Sequence, residues 1–378
     1  MGLSKRERDA AFRANQHHLV KFETKDNVVP APKTTITRGF EKVAFPKMER
    51  ELRDEDLVVR QKSLLAAREL LGVAECYVQC LEAGVVAALV DLLVDEDSIV
   101  RERAAAAFEL VAAKDVGVAY MISDGAFSPL VTCLEDEVEN VRVAAYKALI
   151  ESVRFEAARG ALIDMGTALP RLVELIQKEG SDLSSLGLTL LKGVAEVRQH
   201  EDAMKQLLED TDAVPALSML MERSHPLHVQ EGAAALLGVL CTSDEAIQVR
   251  AVNGNCVKRL AFLLTRGSMS MTVAATSALM AISVSVEGKK SMVREGVVKP
   301  VMGLLGIDND TLCIKLLQLV TNIAEDPEGR RQLQPALETL KKIQSTTPST
   351  VIERCAAHAI RQVTFKTRPY EELPPPEM

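Results

Sequence analysis

Five short constellations in this 378-residue chain carry residue types that perform chemistry in other settings. Gly288-Lys289-Lys290-Ser291 has the ending of a phosphate-cradling loop, but Ser283 stands where such a loop needs its first glycine, and a strand should precede it. It reads as a turn of helix. His225 and His228 flank Pro226, and zinc would need further ligands that this loop does not supply. They read as solvated loop histidines, and the other four (His17, His18, His200 and His358) stand in no ligand spacing either.

Cys76 and Cys80 lie one helical turn apart, close enough to chelate, but no His, Cys or carboxylate cluster completes a site around them. With Cys133, Cys241, Cys256, Cys313 and Cys355 they make an odd total without a C-x-x-C pair, which fits reduced thiols used as small core residues. Asp95-Glu96-Asp97 and Glu135-Asp136-Glu137 gather carboxylates, yet they stand just before helix starts, where negative charge favours the helix N-terminus. No paired carboxylates in a dry cleft, nucleophile elbow or glycine-rich cradle emerges, so the expectation is a protein with no catalytic residue, no metal, no cofactor and no small-molecule substrate.

The elements that carry these residues repeat. Val59-Arg60, Val100-Arg101 and Val141-Arg142 recur at intervals of 41 residues, each opening a helix rich in small and apolar side chains. Weaker copies return around Ser184, Val229, Met271, Leu312 and Ile352. About seven residues earlier, a second helix closes on Leu92-Leu93, Cys133-Leu134, Leu175-Ile176, Leu220-Met221, Leu263-Leu264 or Leu304-Leu305. Before that helix a Gly followed by a Pro or its substitute, as in SDGAFSPL, DMGTALPRL and REGVVKPVM, ends one short helix and starts the next.

Three helices in about 42 residues match the armadillo class, so the expected fold is all-α, a right-handed superhelical solenoid of about eight armadillo-type repeats. No unit buries its apolar face alone; stacking hides the Leu rows, and Ala104 to Ala107, Ala144-Ala145 and Ala233 to Ala235 let helices approach closely. Residues 41–366 form this solenoid. It opens on a partial unit, KVAFPKMERELRDED, whose Lys47, Glu49, Arg50, Glu51 and Arg53 can cap the exposed first end. Residues 367–378 are a Pro-rich tail, and residues 1–40 an extended or partly helical arm with eight Lys or Arg against four Asp or Glu. Lys5, Arg6, Arg8 and Arg13 make that arm a candidate docking element for an acidic neighbour.

Armadillo proteins that bind extended peptides carry ladders of Trp and Asn on their third helices. Here the Trp rung falls on Leu65, Ala106, Lys147, Thr189, Ala235, Ser277, Gln318 and His358, and the Asn rung on Glu69, Leu110, Glu151, Gly193, Val239, Ala281, Asn322 and Gln362. Only Asn322 keeps the pattern, and a single amide reads as a solvated polar residue. Without the ladder an extended peptide would leave backbone groups unpaired at about 1–3 kcal/mol each, which argues against a nuclear import adaptor. The candidate groove residues Glu69, Leu110, Lys147, Glu151, Val239, Ala281, Gln318 and Asn322 better suit the apolar face of a helix or another folded surface.

Composition narrows the partners. A net charge of −8 lacks the basic field that nucleic acid or an anionic membrane surface would select. The charged start MGLSKRERDA has no apolar segment, the apolar stretch from Ala83 to Leu93 is broken by Asp91, and Arg6 stands where a myristoylation motif wants Ser or Thr. A soluble, unsecreted protein is expected.

The segment from Ala44 to Leu52 (AFPKMEREL) and that from Glu55 to Leu64 (EDLVVRQKSL) closely resemble the opening of the armadillo-repeat radial spoke proteins. The specific block covers about twenty residues, and beyond it the likeness is one of repeat pattern. The resemblance implies a structural subunit of the radial spoke, the T-shaped complex that joins outer doublets to the central apparatus in motile cilia and flagella. It implies other spoke subunits as partners, and a place in the cytoplasm, cytoskeleton and ciliary axoneme. The residues do not separate the two armadillo-bearing proteins of that complex, and a cytosolic armadillo adaptor or assembly scaffold would use the same solenoid.

Overall fold

The computed structural model describes residues 44–196 and 211–366. The chain opens with α1 (Ala44–Leu52) and α2 (Leu57–Leu71). Three triplets follow: α3 (Ala74–Glu82), α4 (Val85–Leu92) and α5 (Ser98–Val111); α6 (Asp115–Ser123), α7 (Phe127–Cys133) and α8 (Glu139–Ser152); α9 (Glu156–Asp164), α10 (Ala168–Lys178) and α11 (Ser181–Ala195). After the second described start come α12 (Ala213–Leu220) and α13 (Leu227–Ser243), then α14 (Glu245–Asn253), α15 (Cys256–Leu263) and α16 (Met269–Ile282). The last units are α17 (Val286–Arg294), α18 (Val298–Leu304) and α19 (Asp310–Ile323), then α20 (Pro327–Leu333), a 3-10 turn (Gln334–Ala336), α21 (Leu337–Thr346) and α22 (Thr350–Val363). Among the described residues there is no strand.

The long third helices stack in chain order: α2 on α5, α5 on α8, α8 on α11, α11 on α13, α13 on α16, α16 on α19 and α19 on α22. One continuous apolar core runs from Phe45 to Val363. Small side chains bring α5 and α8 together: Ala104, Ala105, Ala107, Ala145 and Ala148 are all fully buried beside Phe108 and Leu149. These are the solenoid contacts that the 41-residue period predicts, because each layer hides the row that its neighbour would expose.

Local chemistry sets the helix ends. Asp56, Asp97, Ser268 and Asn309 cap third helices by accepting from the backbone N–H of Val58 (2.9 Å), Val100 (3.0 Å), Met271 (3.2 Å) and Leu312 (2.9 Å). The helices therefore begin a turn or less before the Val-Arg pairs. At the turn between first and second helices the backbone goes left-handed, at Gly84, Gly125, Gly166 and Gly296, and at Asn255 where glycine is lacking.

Three of the recurrent arginines tie one repeat to the next. Arg60 Nη1 donates to the carbonyls of Asp54 (3.0 Å) and Glu55 (2.9 Å), while its Nε lies 2.9 Å from Asp95 in the following unit. Arg101 does the same with Asp95 O (2.9 Å), Glu96 O (3.0 Å) and Asp136 (2.7 Å). Arg142 closes on Asp136 O (2.8 Å), Glu137 O (3.3 Å) and Glu179 (3.2 Å). Thus the acidic runs do more than favour a helix start: Asp95 and Asp136 receive the preceding repeat's guanidinium. Further along, the same position only caps its own unit: Ser184 Oγ bonds Ile176 O (2.9 Å), Gln230 Nε2 bonds His225 O (2.6 Å) and Thr272 Oγ1 bonds Ser268 O (3.1 Å).

At the first end α1 buries Phe45, Met48 and Leu52 and carries a Lys47–Glu51 pair (3.4 Å), while Arg53 just beyond it pairs with Asp91 of α4 (3.0 Å). The arm residues Lys5, Arg6, Arg8 and Arg13, and the tail 367–378, lie outside the described residues.

Candidate protein-binding surface

The residues with chemical potential serve the packing. Gly288-Lys289-Lys290-Ser291 lies within α17, where Ser285 caps the Gly288 N–H (3.1 Å) and Lys289 pairs with Glu325. Its glycine is there for space, since a Cβ would stand 1.9 Å from Ile282 O. Cys80, Cys133, Cys241 and Cys256 are buried, and Cys76, Cys313 and Cys355 are half-buried; all are free thiols. Burial pushes the Cys80 thiol up to about 12 and the Cys133 thiol up to about 11, so both stay protonated and poorly nucleophilic. Among the described residues no group of three or more His, Cys, Asp or Glu is placed to hold a metal ion.

No single described helix is long and apolar enough to cross a membrane. The bent pair α6–α7 has a membrane-like composition, but Val118, Met121, Phe127, Leu130 and Val131 are buried in the solenoid core.

The candidate groove residues lie on the third helices. Glu69, Lys147 and Gln318 are exposed, and Leu110, Glu151 and Val239 are half-buried. Ala281 differs: it is 3% exposed, because an alanine methyl does not reach past its bulkier neighbours, so it contributes packing and little contact surface. Asn322 is also corrected from a solvated amide, since its Nδ2 donates to Ser283 Oγ at 3.0 Å across the repeat boundary.

Between α11, α13, α16 and α19 the third-helix face deepens into a groove of about 680 Å³. Ala235, Val239, Val273 and Met280 give it an apolar floor, and Lys192, Glu231 and Lys315 supply charge. Pattern reading placed Val239 here but missed Glu231, Val273 and Met269. These stand four or eight residues before rung positions Ala235 and Ser277, on the same helical stripe, so extending each rung by one and two turns would have found them. The groove has an apolar lining and no row of amides, which suits side chains from a helix face better than a fully extended backbone.

Comparisons with known proteins agree with this architecture. A crystal structure of an engineered protein superposes with a TM-score of 0.79 at 22% identity, over 86% of this chain and 79% of that one. A designed armadillo repeat protein in complex with the peptide (KR)4 superposes with a TM-score of 0.57 at 23% identity, over 63% of this chain and 99% of its own. At these identities the likeness establishes the fold: an armadillo-type helical solenoid. The family model for non-SMC mitotic condensation complex subunit 1 matches residues 40–165, the segment of the most regular repeats. Radial spoke protein 14 of Chlamydomonas reinhardtii is 40% identical over 375 residues, covering 97% of each chain. Identity at that level over 97% of both chains extends far beyond a shared repeat pattern, and this chain belongs to the radial spoke protein 14 family.

Proposed function

We propose that this protein is a non-enzymatic structural subunit of the radial spoke in the axoneme of motile cilia and flagella, and that it holds other spoke subunits on its third-helix face and through its N-terminal arm. The observation that carries this reading is the 40% identity to radial spoke protein 14 along the whole chain. The physical form of the molecule supports it. A stack of helices tied by Arg60–Asp95, Arg101–Asp136 and Arg142–Glu179 is a stiff rod with a long surface, suited to fixing neighbours at set distances. Within that surface the groove around Val239 and Met280 takes a helix from a neighbouring subunit, and Lys5, Arg6, Arg8 and Arg13 give the arm a positive charge for an acidic neighbour.

The deciding experiment fractionates cells that bear motile cilia, removes the membrane, salt-extracts the axoneme and identifies by mass spectrometry what co-purifies with the protein. Retention in the axoneme with spoke subunits is the expected result. A diffuse soluble pool with signalling or transport partners would instead make it a cytosolic armadillo adaptor.

A further inference from the structure

The Arg101–Asp136 arrangement has a register, and that register inverts along the chain. Asp95 and Asp136 each stand two residues after the pair that closes a second helix, Leu92-Leu93 and Cys133-Leu134. Two residues after Leu220-Met221 stands Arg223, and two after Leu263-Leu264 stands Arg266. At the other half of the clamp, Gln230 and Thr272 replace the arginines. So where early repeats bring their own carboxylate to a neighbour's cation, the turns that follow α12 and α15 carry cations.

Both cations converge on one ring. The Arg223 guanidinium carbon lies 3.9 Å, and that of Arg266 4.8 Å, from the centroid of half-buried Phe262. Two like charges held against one ring repel each other, and a single anion between them would gain from both. Arg223, Lys258 and Arg259 line, with Met221, Glu222, Asn255 and Phe262, a depression of about 410 Å³, and Arg266 adjoins it across the ring of Phe262. Arg259 is engaged, with Glu222 at 2.6 Å and Ser218 Oγ at 2.6 Å. Arg223, Lys258 and Arg266 are exposed, and none of them forms an ion pair with a described residue.

We propose that this second-helix surface of α12 and α15 is a docking site for an acidic protein segment, whose carboxylates lie between Arg223, Lys258 and Arg266 while an adjoining apolar side chain packs on Phe262. The guanidinium forks bind carboxylates bidentately, and the ring supplies the contact that fixes register. Charge favours a protein segment over a nucleic acid. The cationic area spans two repeats only, and the same edge carries exposed Glu55, Glu96 and Glu137 in earlier repeats, which a continuing phosphate backbone would meet with repulsion. The site is separate from the third-helix groove and stands whether or not that groove holds a subunit.

The test uses the full chain and a short fluorescein-labelled peptide in which glutamates flank a central leucine, with a single-stranded oligonucleotide of similar length as the competitor. Saturable binding that weakens as salt rises is expected, and R223E/R266E should weaken it at least about tenfold with an unchanged helical spectrum and melting. R223K/R266K, which keeps charge but loses the fork, should fall between. Carbodiimide cross-linking of the bound peptide, mapped by mass spectrometry, should mark Lys258, and the mark should vanish in R223E/R266E. No binding at millimolar peptide, equal binding by wild type and R223E/R266E, a cross-link elsewhere, or tighter binding of the oligonucleotide would each overturn the proposal.

Discussion

Arg101 and Asp136, 35 residues apart, meet in a two-pronged ion pair, Nε to Oδ2 at 2.7 Å and Nη2 to Oδ1 at 3.0 Å. The same guanidinium caps two carbonyls of its own repeat, so one side chain closes a loop and joins two layers. Hydrogen bonds to charged groups in partly buried positions contribute about 1.5–3 kcal/mol. Both R101M and D136N should therefore lower stability by about 2 kcal/mol, and the double variant should cost less than the two added. A double-mutant cycle measured by urea unfolding checks this, and strict additivity would show that the pair is not coupled.

Acid should act on the same contact. The hydrogen bond from Arg101, opposed by desolvation and aided by the Val138 N–H, holds the Asp136 carboxyl below its ordinary value. Asp136 thus releases its proton more readily folded than unfolded, and the unfolded chain binds more protons as pH falls. The stability advantage over D136N should be complete above about pH 5, shrink as pH falls below the ordinary carboxylate range of about 3.9, and vanish once the folded group protonates. Unfolding curves of both proteins across that range test it; an advantage that grows with acidity would refute the assignment.

Gly117 in α6 leaves no room for a side chain, since a Cβ would lie 1.9 Å from Val111 O and 2.0 Å from Tyr77 Oη. The Tyr77 hydroxyl donates to that carbonyl, and burial pushes it up to about 12. G117A should cost about 1–3 kcal/mol through overpacking. Thermal melting of G117A against the wild type checks this, and an unchanged melting temperature would refute the packing argument.

A charge in the third-helix groove should break assembly and spare the fold. Met280 and Val239 line it and are half-buried, so M280E and V239E expose their carboxylates to solvent in the free protein but bury them under a docked helix. Each should lower incorporation into axonemes at least about tenfold, the ratio expected from a loss of 1.4 kcal/mol or more, with melting close to wild type. Normal incorporation of both would move the contact to another face.

The repeat architecture was legible from the residues alone because it rests on local chemistry: the 41-residue period, the bulky pairs that end second helices, the glycines between first and second helices and the acidic runs ahead of helix starts. Those signals lie within a few residues of what they govern. The third-helix rungs were likewise placed by counting, and the exposed Glu69, Lys147 and Gln318 stand where that counting put them. Burial of Ala281 and the Asn322–Ser283 bond were decided by how neighbouring helices pack, which no count along one helix supplies. The Val-Arg pairs announced a repeat without disclosing its purpose, since Arg101 finds Asp136 only when the next layer is stacked upon it. The same holds for Arg223 and Arg266: each is an ordinary surface cation in the sequence, and only the stacking of α12 beside α15 brings both to the ring of Phe262. What the sequence determined by itself was the repeating unit; which side chains meet between units was decided by the superhelical stacking, because contacts across layers depend on geometry accumulated over some forty intervening residues.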